Sequence, residues 1–273
     1  MTSPNLAAAA SSGPEETVLI VAAAILGLIF GSFATATAYR IPRREPIAKG
    51  RSRCPSCGST ITAIENIPVF SYLFLRGRCR HCGERISPRY PVIELVTGSL
   101  FALAGWKFGL SVLAMVYAGF LWVLVVLTVI DLEFKLLPNR VVYPAFVAGW
   151  LGLVAAALLD GEAERLVDAA IGASIFGGFF FVVAFIVPHG MGGGDVKLAF
   201  VLGTFLGYLG APGLVLVGMF LSFLLGGVIG VVVLLATGGN RKMQVPFGPF
   251  LAVGSVAAIF VGQKFLDAYL GAI

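Results

Sequence analysis

The sequence predicts an all-α integral membrane protein of about eight transmembrane helices, with a small cysteine-bearing domain between helices 1 and 2. Three observations carry this expectation. Of the 273 residues, 58% are hydrophobic and only 12% are charged, whereas a soluble chain carries about a quarter charged residues. The apolar residues fall into eight runs, at 18–38, 92–105, 110–130, 141–159, 166–187, 196–209, 214–236 and 250–270. Most approach the ~20 residues that a helix needs to cross a bilayer, and none alternates polar with apolar residues as membrane-barrel strands do. The 35 glycines suit helices whose backbones approach closely in lipid.

Taken in order, residues 1–17 read as a flexible tail rich in Ala and Ser, with Glu15 and Glu16 but no Lys or Arg. A secretory signal needs a basic start, so residues 18–38 are expected to be a retained first transmembrane helix. The second and sixth runs are short or interrupted by glycine, and their ends are the least defined.

Charge sets the expected topology. Residues 40–89 carry eleven basic side chains, opposed only by Glu45, Glu65 and Glu84. Cytoplasmic loops collect Lys and Arg, so this loop is expected inside and the N-terminus outside. Eight helices with both ends outside then put Lys135, Arg140, Lys197, Arg241 and Lys242 inside as well. Of the 19 basic residues, only Lys107, Arg165 and Lys264 fall outside. The lipid bilayer is thus the expected partner of this charge and nucleic acid is not, because the basic residues cluster beside helix ends, where membrane orientation and anionic headgroups explain them.

All four cysteines lie in the basic loop, as Cys54-Pro55-Ser56-Cys57 and Cys79-Arg80-His81-Cys82. Two such turns aimed at each other present four thiolates at the tetrahedral geometry a structural zinc ion takes. Each pair is followed by glycine, Gly58 and Gly83, which permits a left-handed turn after the second ligand. Disulfides or a redox pair are the alternatives, and a cytoplasmic location disfavours the former. His81 is expected to be a bystander. Residues 39–91 therefore read as a cytoplasmic four-cysteine zinc-binding domain. Two readings stay open for its apolar residues 67–75: dipping into the headgroup region, or packing around the metal.

An ionised acid inside a membrane helix costs about 3 kcal/mol. Asp131 ends the third run and Asp195 opens the sixth, in Gly192-Gly193-Gly194-Asp195-Val196-Lys197. The topology puts both on the cytoplasmic side at one depth. Two close carboxylates sharing a proton form the acid–base pair of aspartic peptidase chemistry. The glycines leave room for an extended substrate strand beside Asp195. A helix-end acid and a helix cap are the bland alternatives, and a transporter or channel using both acids as a proton or cation site is the rival from another class.

These residues stand in a familiar order. Gly31-Ser32-Phe33 with Tyr39-Arg40-Ile41-Pro42, the cysteine pairs, Glu65-Asn66-Ile67-Pro68 between them and Ile86-Ser87-Pro88-Arg89-Tyr90-Pro91 with Glu94 come first. Asp131 with Leu137-Pro138-Asn139, Gly192-x-Gly194-Asp195 with Lys197, and Pro246-Phe247-Gly248-Pro249 follow. Over residues 31–254 the chain resembles the bacterial prepilin peptidases, also called type IV leader peptidases, which share a Gly-x-Gly-Asp motif with presenilin-like intramembrane proteases. It departs from the common pattern at Ala34 and Thr35, and by Glu65 where Asp is commoner. The resemblance implies that Asp131 and Asp195 are the catalytic pair, with Gly192, Gly194 and Lys197 as supporting motif residues. It implies that Cys54, Cys57, Cys79 and Cys82 bind Zn2+. It implies cleavage of the basic leader of type IV prepilins or pseudopilins at the cytoplasmic face, and methylation of the new N-terminus from S-adenosylmethionine. Glu65 and Glu94 are candidate substrate or cofactor contacts, with a buried structural acid as the alternative for Glu94. Residues 92–273 then form a transmembrane aspartic peptidase domain, and the whole is expected in the bacterial inner (cytoplasmic) membrane.

Overall fold

The computed structural model describes residues 13–47, 52–187, 191–236 and 246–271. Residues 1–12 of the expected tail, and Lys49, Arg51, Arg241 and Lys242 of the charge pattern, lie outside the described residues. Each of the eight apolar runs is helical. The helices are α1 (Pro14–Arg40), a short α2 (Phe70–Phe74), α3 (Arg89–Phe108), α4 (Val112–Phe134), α5 (Asn139–Asp160), α6 (Arg165–Ile186), α7 (Gly193–Gly210), α8 (Gly213–Ala236) and α9 (Gly248–Leu270).

Six of these, α1, α4, α5, α6, α8 and α9, are long and apolar enough to cross a membrane. Of the other three, α2 is only five residues long, and α3 and α7 carry the second and sixth runs. For α7 the reason is its length of only 18 residues together with Asp195 and Lys197 near its start. Every residue from Val201 to Tyr208 is buried, with α5, α6, α8 and α9 packed against the helix.

The chain divides into two compact units. The first holds Met1–Ala36 and Lys49–Trp122. In it α1 crosses α3 on small residues: a Cβ on Gly27 would lie 2.7 Å from Phe101 Cβ, and one on Gly31 would lie 2.6 Å from the Cα of Glu94. Trp122 Nε1 donates to the Phe30 carbonyl at 2.8 Å, and its ring stacks on Phe33. The second unit holds Thr37–Ala48 and Val123–Ile273. There α6 and α7 touch backbone to backbone, Gly172 against Gly203 and Gly207. The same device joins α8 to α9, where Gly254 lies on Ser222. Close approach of this kind replaces the hydrophobic drive that lipid removes.

Candidate active site

Asp131 lies in the last turn of α4 and is 5% exposed. The helix ends just beyond it. Lys135 turns left-handed at φ 52° and donates its N–H to the Asp131 carbonyl at 2.8 Å. Asp195 lies in the first turn of α7, where its N–H donates to the carbonyl of Gly192, the capping residue, at 3.0 Å.

Leu137, buried in the connection from α4 to α5, ties these two ends together. A Cβ on Gly194 would lie 2.8 Å from Leu137 Cβ. One on Gly248, the first residue of α9, would lie 3.5 Å from Leu137 Cδ1 and 2.6 Å from Asp131 Oδ2. The residue before Asp195 and the glycine against Asp131 thus share one neighbour, Leu137. Asp131 Oδ2 is buried and accepts no well-formed hydrogen bond, while the Gly248 N–H approaches the same carboxylate.

The glycines of the motif do different things. Gly192 stands beside the Asp195 carboxylate, with its would-be Cβ 3.2 Å from Oδ2. Gly194 admits Leu137, and Gly193 faces open space. Lys197 Nζ donates to Asn139 Oδ1 at 2.9 Å and lies over the Tyr143 ring, which fastens the start of α7 to the start of α5. The start of α9 is held by Phe247, whose ring meets Phe180, Phe223 and Phe250 from α6, α8 and α9. Gly248, Phe247 and Leu137 carry more of this geometry than the motif alone suggests. For Phe247 and Gly248 the signal is a glycine between an aromatic residue and a proline; Leu137 shows none.

In the first unit the two cysteine turns are built alike. Cys54 N–H donates to Ser59 O and Cys79 N–H to Glu84 O, at 2.9 and 2.8 Å. Gly58 N–H returns to Cys54 O and Gly83 N–H to Cys79 O, both at 2.9 Å. Both glycines are left-handed, at φ 71° and 73°. The four sulfurs lie within 4.8 Å of one another, with Cys54 and Cys82 Sγ 3.9 Å apart. Zinc–sulfur bonds of about 2.3 Å separate tetrahedral sulfurs by about 3.8 Å, so the four thiols fit a metal ion. Ser59 pulls the Cys57 thiol down to about 6, through its hydroxyl and then its backbone N–H, whereas Cys82, despite the Glu84 backbone N–H, is pushed up to about 12 by desolvation and the neighbouring thiols.

Glu65 and Glu94 have separate surroundings. Glu65 Oε2 accepts from Thr62 N and Oγ1 at 2.8 and 2.9 Å. These bonds hold its carboxyl below the usual glutamate range. Its Oε1 is buried without a hydrogen-bond donor, and Arg80 and His81 stand 3.9 Å away. Glu94 accepts the Val69 N–H at 2.7 Å and a hydrogen bond from Ser32. It is buried and hydrogen-bonded in this structure.

Residues 25–108 match the family model of the bacterial peptidase A24 N-terminal domain, and residues 118–235 that of the type IV leader peptidase family. Among curated proteins, the chain is 37% identical to the prepilin leader peptidase/N-methyltransferase of Bacillus subtilis, across 90% of this chain and 96% of that one. It is 34% identical to the protein of that name from Pseudomonas putida, across 92% and 93% of the two chains. For the protein of that name from Pseudomonas aeruginosa the identity is 33%, across 90% and 91%. No solved structure matches.

Proposed function

The chain belongs to the type IV leader peptidase family, and we propose that it cleaves the leader of type IV prepilins or pseudopilins with Asp131 and Asp195 and methylates the new N-terminus. The observation that carries the reading is that Leu137 touches both Gly194, the residue before Asp195, and Gly248, which lies against Asp131. A proton- or cation-transport role for the same acids is not favoured, because relatives matched along nine-tenths of the chain are named as peptidases.

The pair works with one proton between its two carboxyls. The ionised member takes a proton from water as the water oxygen bonds to the scissile carbonyl carbon, and the protonated member gives its proton to the carbonyl oxygen. Collapse of the tetrahedral species breaks the C–N bond. The amine leaves with the proton taken from water, the other carboxylate recovers one from the diol, and the pair again holds one proton. The open space beside Gly193 leaves room for the substrate backbone.

The fold is read as eight membrane crossings in the bacterial inner membrane, with the N-terminus outside and the acids and cysteines at the cytoplasmic face. There a prepilin presents its basic leader and the start of its apolar helix. Residues 1–17 form a tail, 18–38 the first crossing, 39–91 the zinc domain and methyltransferase part, and 92–273 the peptidase domain. Zn2+ on Cys54, Cys57, Cys79 and Cys82 has a structural role, as expected for a segment too small to build a core of its own. S-adenosylmethionine supplies the methyl group when bound, and Glu65, whose Oε1 has ion-pair neighbours but no hydrogen-bond donor, is the proposed contact for its cationic groups. Purified protein incubated with a prepilin in detergent should release the leader, and Asp131→Asn and Asp195→Asn should each abolish release. Unimpaired cleavage by either variant removes that residue from the mechanism. With added S-adenosylmethionine, mass spectrometry of the mature N-terminus should show one added methyl group.

A further inference from the structure

Neither metal binding nor proteolysis uses the apolar face of residues 64–74. In α2, Phe70, Leu73 and Phe74 are 68%, 65% and 89% exposed, and Ile64 and Ile67 just ahead of it are exposed too. These side chains do not pack around the cysteines. Five large apolar groups on so short a segment form a patch that soluble surfaces rarely carry without a partner.

The depth of this segment follows from its tether. Val69, held left-handed at φ 62°, donates its N–H to Glu94 Oε2 at 2.7 Å. Glu94 lies five residues inside α3, about 8 Å from its start at 1.5 Å per residue. Gly31 of α1 packs against Glu94 at this level, seven residues before that helix's apolar run ends, or about 10 Å. Around it α1 exposes Ile29, Phe30 and Phe33, and α3 exposes Val92, Leu95 and Val96. Both helices turn apolar side chains outward there, so a bilayer around them would reach the level at which α2 is fastened and meet its exposed rings.

Tyr72, which stands between the rings in sequence, lines an open groove of about 500 Å³ with Arg76, Arg78, Arg85 and Ser87, which follow it along the chain. Among the described residues no acidic side chain pairs with Arg76, Arg78 or Arg85. Guanidinium groups bind phosphate oxygens bidentately, and the two hydroxyls can donate further. A basic prepilin leader would be repelled by this groove, as would a cationic sulfonium cofactor. An anionic phospholipid presents a phosphate at the level of the arginines and acyl chains at the level of the rings.

We propose that residues 64–74 anchor the cysteine domain in the bilayer surface and that Arg76, Arg78 and Arg85 bind the phosphate of an anionic phospholipid. Full-length protein reconstituted in phosphatidylcholine, with or without equimolar phosphatidylglycerol, tests both halves. Phe74→Trp, read as difference fluorescence against the unsubstituted protein, should be quenched by lipids brominated on the upper acyl chain and shielded from aqueous iodide. The reverse pattern overturns the anchor. Each arginine near an anionic surface is worth about fivefold in affinity, so Arg76→Gln/Arg78→Gln/Arg85→Gln should retain phosphatidylglycerol roughly a hundredfold less tightly by native mass spectrometry. Phosphatidylcholine retention should not change, and retained zinc reports that the domain is folded. Equal phosphatidylglycerol retention by this variant, or complete displacement by inorganic phosphate, overturns the lipid site. Phe70→Ser/Phe74→Ser separates a substrate-docking face: the anchor requires an unchanged KM for prepilin in detergent, and a raised KM with lipid retention intact refutes it.

Discussion

Gly248→Ala isolates the geometry around Asp131. A Cβ at this position would lie 2.6 Å from Asp131 Oδ2, whereas ordinary contact begins near 3.4 Å, so the carboxylate or the start of α9 must give way by the difference, 0.8 Å. Relaxation is hindered on both sides. Leu137 Cδ1 is already 3.5 Å from the new methyl, and the adjoining Phe247 ring is held among Phe180, Phe223 and Phe250. The glycine is not left-handed, so alanine brings no backbone strain, and in a helix it is favoured by up to about 1 kcal/mol. A displacement approaching 1 Å in a reacting group costs about a hundredfold in rate. The expected result is a fall of roughly that size in the initial rate of prepilin leader release in detergent, with the thermal midpoint and zinc content close to wild type. Gly227→Ala on α8 is the control, since its methyl meets nothing within 4 Å and lies away from the acids, and it should stay within a few-fold of wild type. A Gly248→Ala enzyme with an unchanged rate would show that the position of Asp131 does not govern cleavage.

Three further outcomes are expected. Elemental analysis should find about one zinc per chain, and Cys57→Ser should lower it; full occupancy in a variant lacking all four thiols would refute the site. Gly172→Val forces α6 off the backbone of α7 at Gly203 and Gly207, an overpacking change that should destabilise by about 3 kcal/mol, read as a lowered thermal midpoint in detergent. Lys197→Met removes the exposed 2.9 Å bond to Asn139; it should cost at most about 1 kcal/mol in stability yet slow cleavage several-fold, and an unchanged rate would mean that the tether does not position Asp195.

Much of the helical layout was legible because lipid leaves so few alternatives: all eight apolar runs fold as helices within a few residues of their sequence limits. The cysteine turns were legible for a local reason, as two cysteines and a following glycine suffice to build each one, and the two are alike bond for bond. What could not be read were contacts between distant segments. Leu137 looks like any apolar residue before a proline, yet it touches both Gly194 and Gly248. Glu94 looks like an acid awaiting a ligand, yet its carboxylate is taken by Val69 and Ser32. Residues 67–75 read equally well as core or as surface, because hydropathy does not say what an apolar side chain faces.

The same gap between composition and surroundings explains why Asp195 sits on one of the least membrane-like helices. A helix at the lipid boundary must be apolar on the face it turns to lipid, and α4 carries Asp131 only by burying it in its last turn. α7 meets protein on all sides, so its sequence is free to carry small residues where α6 presses in and a polar first turn where the site lies. The glycine seam at Gly172, Gly203 and Gly207 is what permits that central position. With bulkier residues there, α7 would be pushed outward, the Gly194–Leu137 contact would open, and Asp195 would leave the neighbourhood of Asp131. The seam and the site lie at different places along α7 but depend on one condition, that the helix stays enclosed. Substitutions in the seam should therefore slow cleavage along with lowering stability, whereas those on the exposed face of α8, at Val228 or Val232, should do neither.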